Sequence, residues 1–131
     1  MTKPVILCVD DEKFVLQTLK RQLKAAFGDT YYYELAQDAD EALELIIELT
    51  EAALIVIIIV SDWLMPGMRG DEFLIRVHQQ FPNIIKILMT GQADEAAIER
   101  AKSEANLHSC ISKPWSESEL VETIKSGLAK L

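Results

Sequence analysis

Five side chains able to do chemistry fall just beyond four separate apolar runs. Asp10 and Asp11 follow Val5–Val9, and Asp62 follows residues 54–60 and Ser61. Thr90 follows residues 84–89, and Lys113 follows the short stretch ending in Ile111 and Ser112. If these runs are strands of one parallel sheet, all their C-terminal ends lie along one edge, and residues far apart in sequence converge there. Converging carboxylates repel one another unless a cation joins them. The set therefore calls for a divalent metal, and Mg2+ suits it: an octahedral oxygen shell that keeps waters and takes one or two carboxylates plus a phosphoryl oxygen. Asp11 and Asp62 would be direct ligands, Asp10 would hold a metal-bound water, and the backbone carbonyl of Leu64 would complete the protein's share. A remaining oxygen of Asp62 would attack a phosphoryl group to give an aspartyl phosphate. Lys113 and the Thr90 hydroxyl would bind the group's other oxygens.

Each residue alone has a plainer reading. An Asp at a strand end commonly caps the next helix or forms a turn, and Asp10-Asp11-Glu12 would be favoured there by the helix dipole. Lys113 before Pro114 reads as a solvated loop charge, and Thr90 as an ordinary strand-end hydroxyl. The argument for chemistry is the coincidence of all five at the same kind of end.

Short β-rich runs alternate with longer helical ones, the pattern of βα units and a parallel sheet. The strands are expected at Val5–Val9, 31–36, 54–60, 84–89 and 108–112. The helices are expected at Lys13–Phe27, 38–51, 71–81 and 93–106, with a fifth opening at a capping box of Ser116 and Glu119. Leu16, Leu19, Leu23 and Phe27 mark the core face of the first helix. Ala39, Ala42, Leu43 and Ile46 mark that of the second, Phe73, Leu74, Val77 and Phe81 the third, and Leu120, Val121, Ile124 and Leu128 the fifth. The fourth, with Ala93, Ala96, Ala97 and Ala101, offers only shallow packing. The expected fold is α/β: a flavodoxin-like, doubly wound, five-stranded parallel sheet of order 2-1-3-4-5 with five helices, the switch point falling between strands one and three.

The 131 residues fit one domain, 1–131, and half of them are hydrophobic. Thirteen basic against 21 acidic residues give a net charge of −8. That balance argues against direct binding of nucleic acid or an anionic membrane. The longest apolar run, 52–60, has nine residues, where a membrane helix needs about 20. The start lacks the apolar core of a secretory signal, so Cys8 and Cys110 are expected as reduced, buried thiols of a cytoplasmic protein. His78 and His108 lack the companions of a zinc site. Tyr31-Tyr32-Tyr33 reads as strand, because a base-stacking platform would need a basic groove.

The motifs Val9-Asp10-Asp11-Glu12, Ser61-Asp62-Trp63-Leu64-Met65-Pro66-Gly67-Met68-Arg69-Gly70, Met89-Thr90-Gly91 and Lys113-Pro114-Trp115 resemble, in this order, the receiver domains of two-component response regulators. The resemblance covers essentially the whole chain. It implies that Asp62 is the phosphoacceptor, Asp10 and Asp11 the acidic metal-binding pair, Thr90 the switch hydroxyl and Lys113 the phosphate-binding lysine. It implies Mg2+ as cofactor and, as donor, a phosphohistidine on a partner histidine kinase or phosphotransfer protein. Phosphorylation would switch the face made by helix four, strand five and helix five toward an output domain or partner protein; a homodimer would also fit the family. The chain would promote its own phosphorylation and dephosphorylation without being a turnover enzyme.

Three departures from the commonest pattern stand out. Cys110 occupies the position, three before the lysine, where many receivers carry Tyr or Phe, and a small thiol cannot signal by burying a ring. Trp115 stands where Phe is more usual, as a core residue or an exposed partner contact. The segment between helix two and strand three is long. The Lys-Pro-Trp ending and the stretch 90–94 look like receivers fused to larger signalling proteins, including cyclic-dinucleotide phosphodiesterases and hybrid kinases. The alternative on the same fold is a phosphorylation-independent pseudo-receiver used for docking. A Mg2+-dependent phosphatase would want a second Asp where Leu64 stands, and a flavin protein would want a phosphate-cradling loop where Asp10-Asp11-Glu12 would repel phosphate.

Overall fold

The computed structural model describes residues 3–91 and 94–131. Five strands form one parallel sheet in the order β2-β1-β3-β4-β5. They are β1 (Val5–Val9), β2 (Tyr32–Ala36), β3 (Val56–Asp62), β4 (Ile85–Thr90) and β5 (Ser109–Ser112). The helices between and after them are α1 (Lys13–Phe27), α2 (Ala39–Glu51), α3 (Gly70–Gln80), α4 (Glu95–Glu104) and α5 (Glu117–Leu128), with a short 3-10 turn at Gly28–Thr30. The expected strand order and both element counts are met.

Alternation along the strands explains the two layers. Val5, Leu7 and Val9 join Ala42, Ile46, Phe73, Leu74 and Val77 on the α2–α3 side. Ile6 and Cys8 join Leu16, Leu19, Leu23, Leu120 and Ile124 on the α1–α5 side. With helices on both faces, every residue of β1 is buried, which is why it reads as unbroken apolar sequence. Both helical faces predicted for α1 and α3 point inward, with Phe27 and Phe81 only half-buried at the ends.

Several boundaries moved for identifiable reasons. The third strand was expected over 54–60 but begins at Val56 and continues through Asp62. Its late start comes from the turn closing α2. Ala53 takes a positive φ of 63°, its N–H donates to the Thr50 carbonyl, and Leu54 N–H donates back to Leu49. The extra length between α2 and β3 is this turn plus Ile55, which is exposed. Asp38 is the N-cap of α2, its carboxylate accepting the Glu41 N–H at 2.8 Å, so the helix starts one residue later than expected. The fourth helix was expected from Ala93, which lies outside the described residues. Its N-cap is Asp94, accepting from Ala96 and Ala97. At α5, Ser116 Oγ accepts the Glu119 N–H at 3.0 Å, forming that half of the expected capping box.

The two thiols differ. Cys8 is buried and Cys110 only half-buried, both free; β5 is an edge strand, so the expectation of two buried thiols fails for Cys110. Burial pushes the Cys8 thiol up to about 12, leaving it inert as a nucleophile.

One buried charge was not legible as such. Lys86 interrupts β4 and is 1% exposed. Its Nζ donates to the Ile84 carbonyl at 2.8 Å and lies 3.0 Å from His78 Nδ1. Burial lowers its pKa from 10.5 to about 8. The unfolded chain therefore binds the proton more tightly, and stability rises as pH climbs from about 8 toward 10.5. Lys86→Met is expected to raise stability at pH 7 by about 2 kcal/mol. In thermal melts that advantage should shrink at alkaline pH, and an advantage independent of pH would contradict a charge-burial cause.

Candidate functional site

The site lies where β1, β3, β4 and β5 end. Asp10 and Asp11 leave β1, Asp62 is the last residue of β3, Thr90 the last of β4, and Lys113 follows β5. All five predicted side chains thus reach the one sheet edge. Backbone pairing fixes their spacing: Asp62 stands opposite Met89, and Thr90 opposite Ser112. Trp63 N–H donates to the Met89 carbonyl, and Lys113 N–H to that of Thr90.

Asp10, Asp11 and Asp62 each offer a carboxylate oxygen within 4.8 Å of the others. Asp10 and Asp62 are buried and Asp11 is exposed. Lys113 Nζ bridges the buried pair, 2.9 Å from Asp10 Oδ2 and 3.0 Å from Asp62 Oδ1. The other oxygen of Asp10 accepts the Glu12 N–H at 2.9 Å. Both Asp10 oxygens are therefore engaged, which suits the expectation that it acts through a water, while exposed Asp11 is free to approach a cation.

The electrostatics follow from this packing. Burial raises the Asp62 pKa above the ordinary carboxylate range; the Lys113 hydrogen bond opposes that, and the charges of Asp10 and Asp11 add to it. For Lys113, burial pulls downward, but the hydrogen bonds and charges of Asp10 and Asp62 outweigh it and hold the ammonium above its usual value. Two of the three carboxylates share one lysine, and Asp11 makes no contact with it. An octahedral Mg2+ shell places ligand oxygens about 3 to 4.2 Å apart, so a small contraction of this trio fits the ion. The cleft beside it, about 630 Å³, is lined by Asp11, Trp63, Leu64, Met65, Pro66 and Lys113 among others. A drier groove of about 380 Å³, which includes Leu54, Phe81 and Ile84, sits at the opposite sheet edge, away from these groups.

The chain matches the family model described as response regulator receiver domain over residues 6–125. It belongs to that family. Among its relatives, this receiver is 32% identical over 123 residues to the hydrogenase transcriptional regulatory protein HoxA of Cupriavidus necator, covering 94% of the chain and 24% of HoxA. It is 29% identical over 128 residues to the chemotaxis protein CheY-3 of Vibrio cholerae, covering 96% of the chain and 92% of CheY-3. The signal receiver domain of an HD domain-containing protein from Pseudomonas fluorescens Pf-5 superposes with a TM-score of 0.86 at 34% identity, over 98% of this chain and 96% of that one. The receiver thus spans about a quarter of HoxA's length. Among the described residues, no helix is long and apolar enough to cross a membrane.

Thr90 has a thiol as its neighbour. Thr90 is buried, and its hydroxyl lies 3.9 Å from Cys110 Sγ. Trp115 is neither wholly core nor free. It is half-buried against the α1–α5 cluster, and its indole N–H donates to Gln22 Oε1 on α1 at 2.8 Å. Leu64 is exposed, at 61%, on the rim of the cleft.

Two contributors escaped the sequence reading. Gly70 was read as loop punctuation; it opens α3 and its N–H donates to the Trp63 carbonyl at 2.8 Å. A Cβ there would overlap the carbonyl oxygen of Asp62, a contact between residues eight apart that no local pattern announces. The second is a charged cluster around Asp71, which the sequence offered only as the first residue of the expected third helix. It is buried, and Trp63 Nε1 donates to its Oδ1 at 3.1 Å.

Proposed function

We propose that this receiver takes a phosphoryl group from a phosphohistidine of a partner kinase or phosphotransfer protein onto Asp62. The observation that carries the reading is the Asp10–Asp11–Asp62 trio with Lys113 bridging two of its members. A carboxylate oxygen of Asp62 attacks phosphorus, the phosphorus–nitrogen bond breaks, and its electron pair leaves with the donor imidazole. Asp11 and Asp62 would hold Mg2+ directly, Asp10 through water, with the Leu64 carbonyl beside them. The ion would offset charge on the transferring group. Lys113 exchanges part of its contact with Asp62 for the incoming oxygens. Thr90 lets go of Cys110 and turns toward the same oxygens, and the β4–α4 connection follows. The face of α4, β5 and α5 then presents a different surface to an output partner. The chain remains an acceptor rather than a turnover enzyme.

The test is intact mass after mixing with Mg2+ and a small acyl-phosphate donor. One added phosphoryl group, lost when the ion is chelated beforehand, is the expected result. An unmodified chain that also fails to bind Mg2+ in titration would leave the docking-module reading in its place.

Leu64 bears on lifetime. Its exposed side chain overhangs the cleft that attacking water must enter. Leu64→Asn is expected to speed phosphate loss roughly threefold to tenfold, about 1 kcal/mol of barrier. Decay followed after donor removal reads this directly, and equal lifetimes would remove the idea.

A further inference from the structure

We propose that Arg100 clamps α4 to α3 in the unphosphorylated arrangement, and that this clamp sets how tightly the site holds a phosphoryl group. The inference rests on the acceptor role given to Asp62 above and names a regulator of that site.

Packing holds α4 only lightly: its buried residues are Ala97 and Ala101, which present little area, and Ile98 adds a partly buried side chain against the α2–α3 core. Arg100 supplies what packing does not. Its Nη2 donates to Glu72 Oε2 at 2.6 Å, and its Nη1 to Asp71 Oδ2 at 3.4 Å, both on α3. Its Nε donates to Glu104 Oε2, one turn along its own helix, at 3.3 Å.

A single exposed ion pair would be worth little. This one differs because Asp71 is buried and shared. One of its oxygens takes Arg100, and the other takes the indole N–H of Trp63. Stripping one donor from a buried carboxylate is costly. Trp63 is the residue next to the acceptor, pinned by its backbone to Met89, the neighbour of Thr90. The Arg69 guanidinium, 5.4 Å from the indole centroid, packs the ring in place. A connected set of contacts therefore runs from Asp62 through Trp63 and Asp71 to Arg100.

Any displacement of α4 that follows Thr90 must stretch the two contacts to α3. The clamp therefore weights the equilibrium toward the unphosphorylated arrangement, and its removal must raise affinity for whatever stabilises the other.

The experiment is calorimetric titration of the intact chain with beryllofluoride, a phosphoryl mimic, in Mg2+. Arg100→Gln is expected to bind it roughly fivefold more tightly than wild type. Asp71→Asn, which keeps an acceptor for Trp63 but leaves Arg100 on Glu72, should show a smaller gain, and the double variant no more than Arg100→Gln alone. Glu104→Gln, which touches only the contact within α4, should bind as wild type does. Equal or weaker affinity in Arg100→Gln overturns the clamp, as does a matching gain in Glu104→Gln. Wild type that binds no beryllofluoride at all would instead refute the acceptor role of Asp62. Thermal melts on each variant confirm that the fold is intact before affinities are compared.

Discussion

Asp62→Asn is expected to end covalent phosphorylation of the chain altogether. The amide is nearly isosteric, so the sheet edge stays in place, but the anionic nucleophile is gone. The same change should help the metal-free fold. Asp62 is desolvated and faces Asp10 and Asp11, which together raise its pKa above 3.8 despite Lys113. A carboxyl whose folded pKa is raised costs stability as pH rises from the unfolded value through the folded one. Above the folded value that cost is present in wild type, and it is absent in the variant. Asp62→Asn should therefore melt higher than wild type in chelator and respond less to added Mg2+. Intact mass and paired melts with and without the ion check both halves. A phosphoryl adduct that persists in the variant would place the acceptor elsewhere.

Gly70→Ala is expected to do the largest damage to the fold near the site. The new methyl carbon would overlap the Asp62 carbonyl oxygen and stand 2.9 Å from Trp63 Cα. Those are backbone atoms at the end of β3 and just beyond it, where Asp62 sits, and they are tied to β4 by the bond from Trp63 to Met89. They have no rotamer to change, so α3 or the end of β3 must shift. A cost of about 3 kcal/mol is expected in urea titration, together with phosphorylation slowed about tenfold or more as the acceptor moves. An unchanged midpoint would mean that α3 slides away freely, and that its first turn does not position Asp62.

What the sequence disclosed follows from where the information lies. Strand β1 was legible to the residue because burial on both faces demands an unbroken apolar run and Asp10 ends it. The candidate site was legible because strand ends in a parallel sheet share an edge. Val56 was misjudged as mid-strand because Leu54 and Ile55 look equally β-prone; a positive φ at Ala53, which sequence does not favour in Ala, sets the real start. The Arg100 contacts to Asp71 and Glu72 span nearly thirty residues, and nothing in the helical pattern of either segment pairs them. Lys86 was passed over because one lysine in an apolar strand looks like an edge residue, whereas β4 is interior to the sheet.

The bridge from Lys113 to Asp10 and Asp62 has one more consequence. The acidic hollow already contains a positive tenant, so a divalent ion would enter by displacing an ammonium's grip rather than by filling unopposed negative charge. Such an exchange yields modest, quickly reversible occupancy, and chelation should strip the ion within the time of mixing. The protein would then sit in readiness with two of its carboxylates joined by the ammonium, and the arriving phosphoryl oxygens would supply the partner that the lysine loses.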